Sequence, residues 1–194
     1  MQPMIEVNAV TKSIKQKDIL KQIDFTIYQG ECVALIGPNG AGKTTLMSCL
    51  LGDKYPTKGN IQLASLPATA LQLKEKVAVL SQENTIPERL KVKELIQFYQ
   101  SIYAQHLTTE EIDTLLQFSD VQKEQFADKL SGGQRRLLSF VLVLIGKPSI
   151  LLLDEPTTGM DTSTRVRLLG GRCEIISTHN PTVIELIVPY QSQE

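Results

Sequence analysis

Apolar and polar residues alternate along residues 5–10 and again along 23–28, the period of two expected of strands with one buried face. Gln29-Gly30-Glu31 predicts a turn, and the apolar run Cys32-Val33-Ala34-Leu35-Ile36 predicts a further strand. Residues 60–66, introduced by Pro56-Thr57-Lys58-Gly59, read as another strand, and residues 77–80 as a short buried one ending at Ser81-Gln82. From residue 92 to residue 134 the period lengthens: Val92, Leu95, Ile96 and Tyr99 recur at helical spacing. Thr108 and Glu111 have the spacing of a capping box, ahead of Ile112, Leu115, Leu116 and Phe118 on one helix face. A helix over 135–145 and a continuous apolar run over 149–153 follow, the run having the character of a central strand in a parallel sheet. Residues 186–189 supply at most one further short strand. The pattern predicts a single α/β domain over residues 1–194, with a helical insertion at about 88–146 between strands of one sheet.

Composition narrows what such a domain does. At 194 residues and 42% hydrophobic content the chain can bury a good core. A net charge of −1, from 20 basic and 21 acidic residues, argues against the clustered positive charge of a nucleic-acid surface. Trp is absent and aromatics are 5%, which also disfavours base stacking. No apolar run approaches the ~20 residues that span a bilayer, and the first residues lack the basic and apolar regions of a secretion signal. Cys32 and Cys49 lie in apolar runs and, with Cys173, form no C-x-x-C pair; the first two are expected in the core, as reduced thiols.

The chemistry starts at Gly37-Pro38-Asn39-Gly40-Ala41-Gly42-Lys43-Thr44, a G-x-x-x-x-G-K-T loop between the third predicted strand and a helix-like run over 45–51. Glycines let successive main-chain N–H groups curl round an anion, and the helix N-terminus adds free donors and partial positive charge. Asn39, Gly40, Gly42, Lys43, Thr44 and Thr45 are therefore candidate phosphate ligands. Lys43 is placed for the outer phosphates, and the Thr44 hydroxyl for a Mg²⁺ ion.

A second pair of groups closes the run Ile150-Leu151-Leu152-Leu153 with Asp154-Glu155. Ligands of parallel sheets sit beyond the carboxyl ends of the strands. Asp154 suits the Mg²⁺ shell, and Glu155 suits orienting or deprotonating an attacking water. Leu130-Ser131-Gly132-Gly133-Gln134 precedes a helix, with a capping serine and two glycines that leave its N-terminus bare, a second anion cradle by the same physics. A dimer in which each nucleotide lies between the first cradle of one subunit and the second of its mate would use both.

These stretches, G-P-N-G-A-G-K-T, L-S-G-G-Q and L-L-L-D-E-P in that order, resemble the nucleotide-binding subunit of an ABC transporter over residues 5 to about 161. The resemblance implies a P-loop NTPase core with a mainly parallel sheet and an N-terminal antiparallel β subdomain, and ATP with Mg²⁺ as its ligands. It implies that Gln82 senses Mg²⁺ and the γ-phosphate and faces a membrane partner. It implies that Ser131, Gly132, Gly133 and Gln134 face the ATP of a second ATP-binding subunit, and that the loop Gly159-Met160-Asp161 crosses that interface. His179 resembles the histidine that contacts the γ-phosphate. The implied partners are transmembrane permease subunits and a second cassette, not nucleic acid. The implied place is cytoplasmic, on the inner face of the cell membrane.

Two departures stand out. Where the family usually stacks an aromatic ring on adenine, this chain has Ile14, so base selectivity or affinity is expected to relax. Only residues 162–171, which Gly170-Gly171 cuts to about two turns of helix, separate Asp161 from the next strand-like segment, so a shortened C-terminal part is expected. It is either a natural short form or a reading cut or shifted after about Arg165, in which case His179 is coincidental. Two other functions fit parts of the pattern: a soluble ABC-type ATPase acting on nucleic acid or the ribosome, disfavoured by charge and length, and a module that holds ATP but hydrolyses it poorly.

Overall fold

The computed structural model describes residues 2–38, 40–81, 86–87, 89–154 and 182–187, the last by backbone alone. Among these, the chain opens with the long strands β1 (Pro3–Ile14) and β2 (Lys17–Tyr28), which pair antiparallel through a tight turn at Lys15 and Gln16, both at positive φ. Strand β3 (Cys32–Ile36) follows, then α1 (Lys43–Leu50) and a small hairpin, β4 (Lys58–Leu63) and β5 (Leu66–Pro67). After β6 (Val77–Leu80) the chain turns helical: α2 (Val92–Ile102), α3 (Thr109–Leu116), α4 (Asp120–Glu124) and α5 (Gly132–Leu144). It then returns to strand in β7 (Ile150–Asp154) and β8 (Thr182–Ile187).

The strands form two sheets. The antiparallel one has the order β2-β1-β4-β5; the other has the order β3-β8-β7-β6 and is parallel throughout. Two cores share β7 between them. Ile150 and Leu152 pack with α1 (Leu46, Met47, Leu50) and the antiparallel sheet (Ile5, Val7, Ile61, Leu63). Leu151 and Leu153 point to the opposite face and pack with α2, α3 and α5 through Leu95, Ile112, Leu138 and Val141. Burial on both faces is why this strand reads as an unbroken apolar run rather than an alternating one.

Caps set the helix starts. Thr108 accepts from the Glu111 N–H while the Glu111 carboxylate accepts from the Thr108 N–H, and Ser119 with Gln122 repeats the arrangement at α4. Glu124 is held by Lys91 and Lys93, whose hydrogen bonds keep its carboxyl below the usual range and tie the end of α4 to the start of α2. No helix among the described residues is long and apolar enough to cross a membrane.

Four expectations change in detail. Residues 60–66 are not one strand: Ala64 and Ser65 turn at positive φ, 48° and 63°, and Leu63 pairs back with Leu66. Ala-Ser carries none of the Asn-Gly or Asp-Gly signature of such turns, so the pairing imposes the geometry. Helix α5 starts at Gly132, not 135, because the Ser131 cap outweighs the poor helix propensity of two glycines. Cys49 is buried, and burial raises its thiol pKa; Cys32 instead lies exposed on β3, at an edge of the described sheet. The last strand begins at Thr182 and lies between β3 and β7.

Truncating a side chain in the core shared by β7 and α5 should be costly. Leu138→Ala, at a fully buried position, should lower unfolding stability by about 2–5 kcal/mol. Val121→Ala, at a side chain 70% exposed, should change it by less than ~0.5 kcal/mol. Urea unfolding midpoints at constant slope check both.

Candidate functional site

Because β3, β8, β7 and β6 are parallel, their carboxyl ends lie along one edge, and the site is built there. Strand β3 ends at Ile36, the chain bends through Gly37 to Gly42, and α1 starts at Lys43. Gly42 is the N-cap residue, at φ 93° and ψ 4°. A Cβ there would stand 3.0 Å from Leu20 Cδ2 and 3.1 Å from the Ile19 carbonyl oxygen. Only glycine satisfies both the dihedral and the clearance against β2. No side chain caps α1 and its first turn holds no acidic residue, so its N-terminal donors and dipole face the loop.

Lys43 crosses the loop it follows. Its Nζ donates to the carbonyl oxygens of Gly37 at 2.6 Å and Pro38 at 3.0 Å. Thr44 is exposed and Thr45 half-buried at the start of the same helix, and Gly40 sits in the open bend at φ 80°. Asn39 lies outside the described residues. The arrangement suits a polyphosphate: main-chain donors at a bare helix end, a bend with glycines at positive φ, and an ammonium across it.

Asp154 is the last residue of β7 and is half-buried at the same sheet edge. Ser81 directly follows β6 at that edge too. Gln82 and Glu155, the next residue in each case, lie outside the described residues, as do Gly159, Met160, Asp161 and His179. His179 precedes β8 in sequence.

The second cradle stands apart. Ser131 is the N-cap of α5; its Oγ accepts from the Gln134 N–H at 3.3 Å, and its own N–H donates to Gln134 Oε1 at 3.0 Å. The Gln134 carbonyl is thus committed to the cap. A Cβ on Gly132 would meet nothing within 4 Å. Nothing described in the chain requires glycine there, although glycine in a helix costs about 1 kcal/mol relative to alanine. Helix α5 packs against the face of β7 opposite to α1. The fold therefore brings Lys43, Thr44 and Asp154 to one edge and carries Ser131, Gly132 and Gly133 on a different helix across the sheet.

One residue escaped the sequence reading. Arg136 on α5 is only 5% exposed, and its guanidinium donates to the carbonyl oxygens of Ser81 and Asp154, each at 2.7 Å. The available signal was a charge on the face that also carries Leu137 and Phe140.

A family profile described as ABC transporter matches residues 20–158, a span that contains the phosphate loop, the Ser-Gly-Gly turn and β7. The chain belongs to the ABC transporter ATP-binding family. This ABC chain is 34% identical over 189 residues to the Nod factor export ATP-binding protein I of Rhizobium johnstonii, an alignment covering 93% of the chain and 60% of that protein. It is 35% identical over 167 residues to the protein of the same name from Sinorhizobium fredii, covering 83% and 49% respectively. The chain therefore spans 49% to 60% of the length of these curated relatives. Among solved structures it is similar to an ABC transporter ATP-binding protein from Pyrococcus furiosus, with a TM-score of 0.82, 27% identity, and coverage of 97% of this chain and 92% of that one. An ATP-binding cassette solved as a dimer with ADP and Pi shares the fold at a TM-score of 0.75 and 23% identity, over 94% of this chain and 87% of that one.

The two glycines make opposite predictions. Gly42→Ala should destabilise the ABC chain by about 1–2 kcal/mol, through the left-handed backbone and the contact with β2. Gly132→Ala, helical and unobstructed, should stabilise it by about 0.5–1 kcal/mol. Thermal or urea unfolding of both variants checks the pair.

Proposed function

We propose that this ABC chain binds and hydrolyses ATP as one half of a dimer, and that the resulting opening and closing drives separate transmembrane subunits. The observation that carries the reading is the uncapped N-terminus of α1 behind Gly42, with the Lys43 ammonium across it and Asp154 on the same sheet edge.

In this reading Asn39, Gly40, Gly42, Lys43, Thr44 and Thr45 hold the phosphates. Main-chain donors supply most of the contact, and Lys43 exchanges the carbonyls of Gly37 and Pro38 for outer-phosphate oxygens. Among the described residues no three His, Cys, Asp or Glu side chains converge. Mg²⁺ takes one or two protein ligands and completes its shell with phosphate and water. Thr44 and Asp154 would hold the ion, with Gln82 beside it, and the ion would neutralise charge on the transferred phosphoryl group. Glu155 orients the attacking water and accepts its proton. For His179 the resemblance alone supplies a role, contact with the γ-phosphate, and the start of β8 after it adds no support.

Ser131, Gly132, Gly133 and Gln134 face the mate's ATP. The support is Gly132, a helix-weakening residue that nothing among the described residues requires and that lets a second body approach the main chain closely. Permease partners would place the chain at the inner face of the cell membrane. The relatives' names include export, which favours outward transport; the cargo is not carried over with them.

Lys43→Ala should weaken ATP binding at least about tenfold, the worth of roughly 1.4 kcal/mol, by equilibrium dialysis; unchanged affinity would remove the loop from the site. Glu155→Gln should keep ATP binding, lose phosphate release and accumulate ATP-dependent dimers on size exclusion. Unaltered turnover would exclude Glu155 from water activation. Chelating divalent ions should abolish phosphate release in the unmodified chain. Gly132→Ala should keep ATP affinity yet lose ATP-dependent dimerisation despite its greater stability.

A further inference from the structure

We propose that Arg136 is a positioning residue that fixes the spacing between the ends of β6 and β7, at Ser81 and Asp154, and that it does so from the helix bearing the Ser131 cap. The inference rests on the functional reading above.

Strands β6 and β7 run parallel with Leu80 opposite Leu153 as their last registered pair, so Ser81 and Asp154 are the next residue on each. Just past that pair, the main-chain oxygens of both residues accept from one guanidinium, at 2.7 Å through Nη1 and 2.7 Å through Nη2. The next residues are Gln82 and Glu155. A planar fork with two parallel donors sets the distance between two acceptors as well as binding each of them. An ammonium is a point charge on a flexible stem and sets no such spacing.

Arg136 is also an expensive residue to keep there. It is 5% exposed on a helix whose neighbouring buried side chains are Leu137, Leu138, Phe140 and Val141. Removing a guanidinium from water costs several kcal/mol, and an apolar side chain of similar volume often serves stability as well or better. Core packing alone therefore does not account for it, whereas a fixed span between two strand ends does. The same helix begins with Ser131 and Gly132, little more than one turn away from Arg136. A body that presses on the N-terminus of α5 thus moves, through Arg136, the ends of β6 and β7, and with them Asp154, the residue proposed to hold the metal ion.

The test uses the full chain with Arg136→Lys and Arg136→Gln. Four quantities are measured: the urea midpoint, ATP affinity by equilibrium dialysis, kcat for phosphate release, and main-chain hydrogen exchange over residues 77–87 and 150–158 without nucleotide. The expected result is ATP affinity within about threefold of the unmodified chain, kcat lowered roughly 10- to 100-fold, no rescue by lysine, and faster exchange in both segments. Normal kcat in a folded variant overturns the proposal, as does full rescue by lysine or unchanged exchange in both segments. Unfolding of both variants also overturns it, since Arg136 would then be a determinant of the fold. If the unmodified chain neither binds nor hydrolyses ATP, the functional reading fails, and the exchange comparison still decides whether Arg136 holds the two strand ends.

Discussion

Strand β7 is the constraint on which the rest of the structure depends. Its alternate residues enter different cores, Ile150 and Leu152 one, Leu151 and Leu153 the other, so it cannot slip by one position without exchanging both sets. A shift would also move Asp154 by about 3.3 Å along the strand. Parallel pairing with β6 and β8 then fixes the level at which each chain leaves the sheet. The polar residues Ser81 and Asp154 emerge together because apolar packing behind them sets the register.

The same division explains the two cradles. Helix α1 packs on one face of β7 and α5 on the other, so a single chain presents two helix N-termini from separate layers. The first is shaped by close contact within the chain, where β2 presses on Gly42. The second is open at Gly132. One glycine is required by what lies beside it; beside the other the described residues leave open space. With a net charge of −1, long-range attraction contributes little, and affinity for an anion must be assembled locally from main-chain donors and Lys43.

Much of this was legible in the residues. Strands β3 and β6 fall where their apolar runs lie, because a short apolar run bounded by polar turns is a signal contained within a few residues. The caps at Thr108 and Ser131 follow from side-chain chemistry within a few residues. What escaped depends on distant partners. The Ala64-Ser65 turn is forced by strand pairing, the exposure of Cys32 follows from a face of β3, shared with Ile36, that the described residues leave uncovered, and β8 takes its place between β3 and β7. Arg136 escaped for the same reason: its acceptors, Ser81 and Asp154, are far away in the chain, and no local pattern announces them.

The central claim is that a nucleotide's phosphates are gripped by main-chain amides at the start of α1, and a crystal structure of the chain grown with magnesium and a non-hydrolysable ATP analogue tests it most directly. The account predicts the β- and γ-phosphates within hydrogen-bonding distance of the N–H groups from Gly40 to Thr45, with Lys43 Nζ turned from its carbonyls onto phosphate oxygen. An analogue bound elsewhere, or a loop left without it at saturating concentration, would contradict the account.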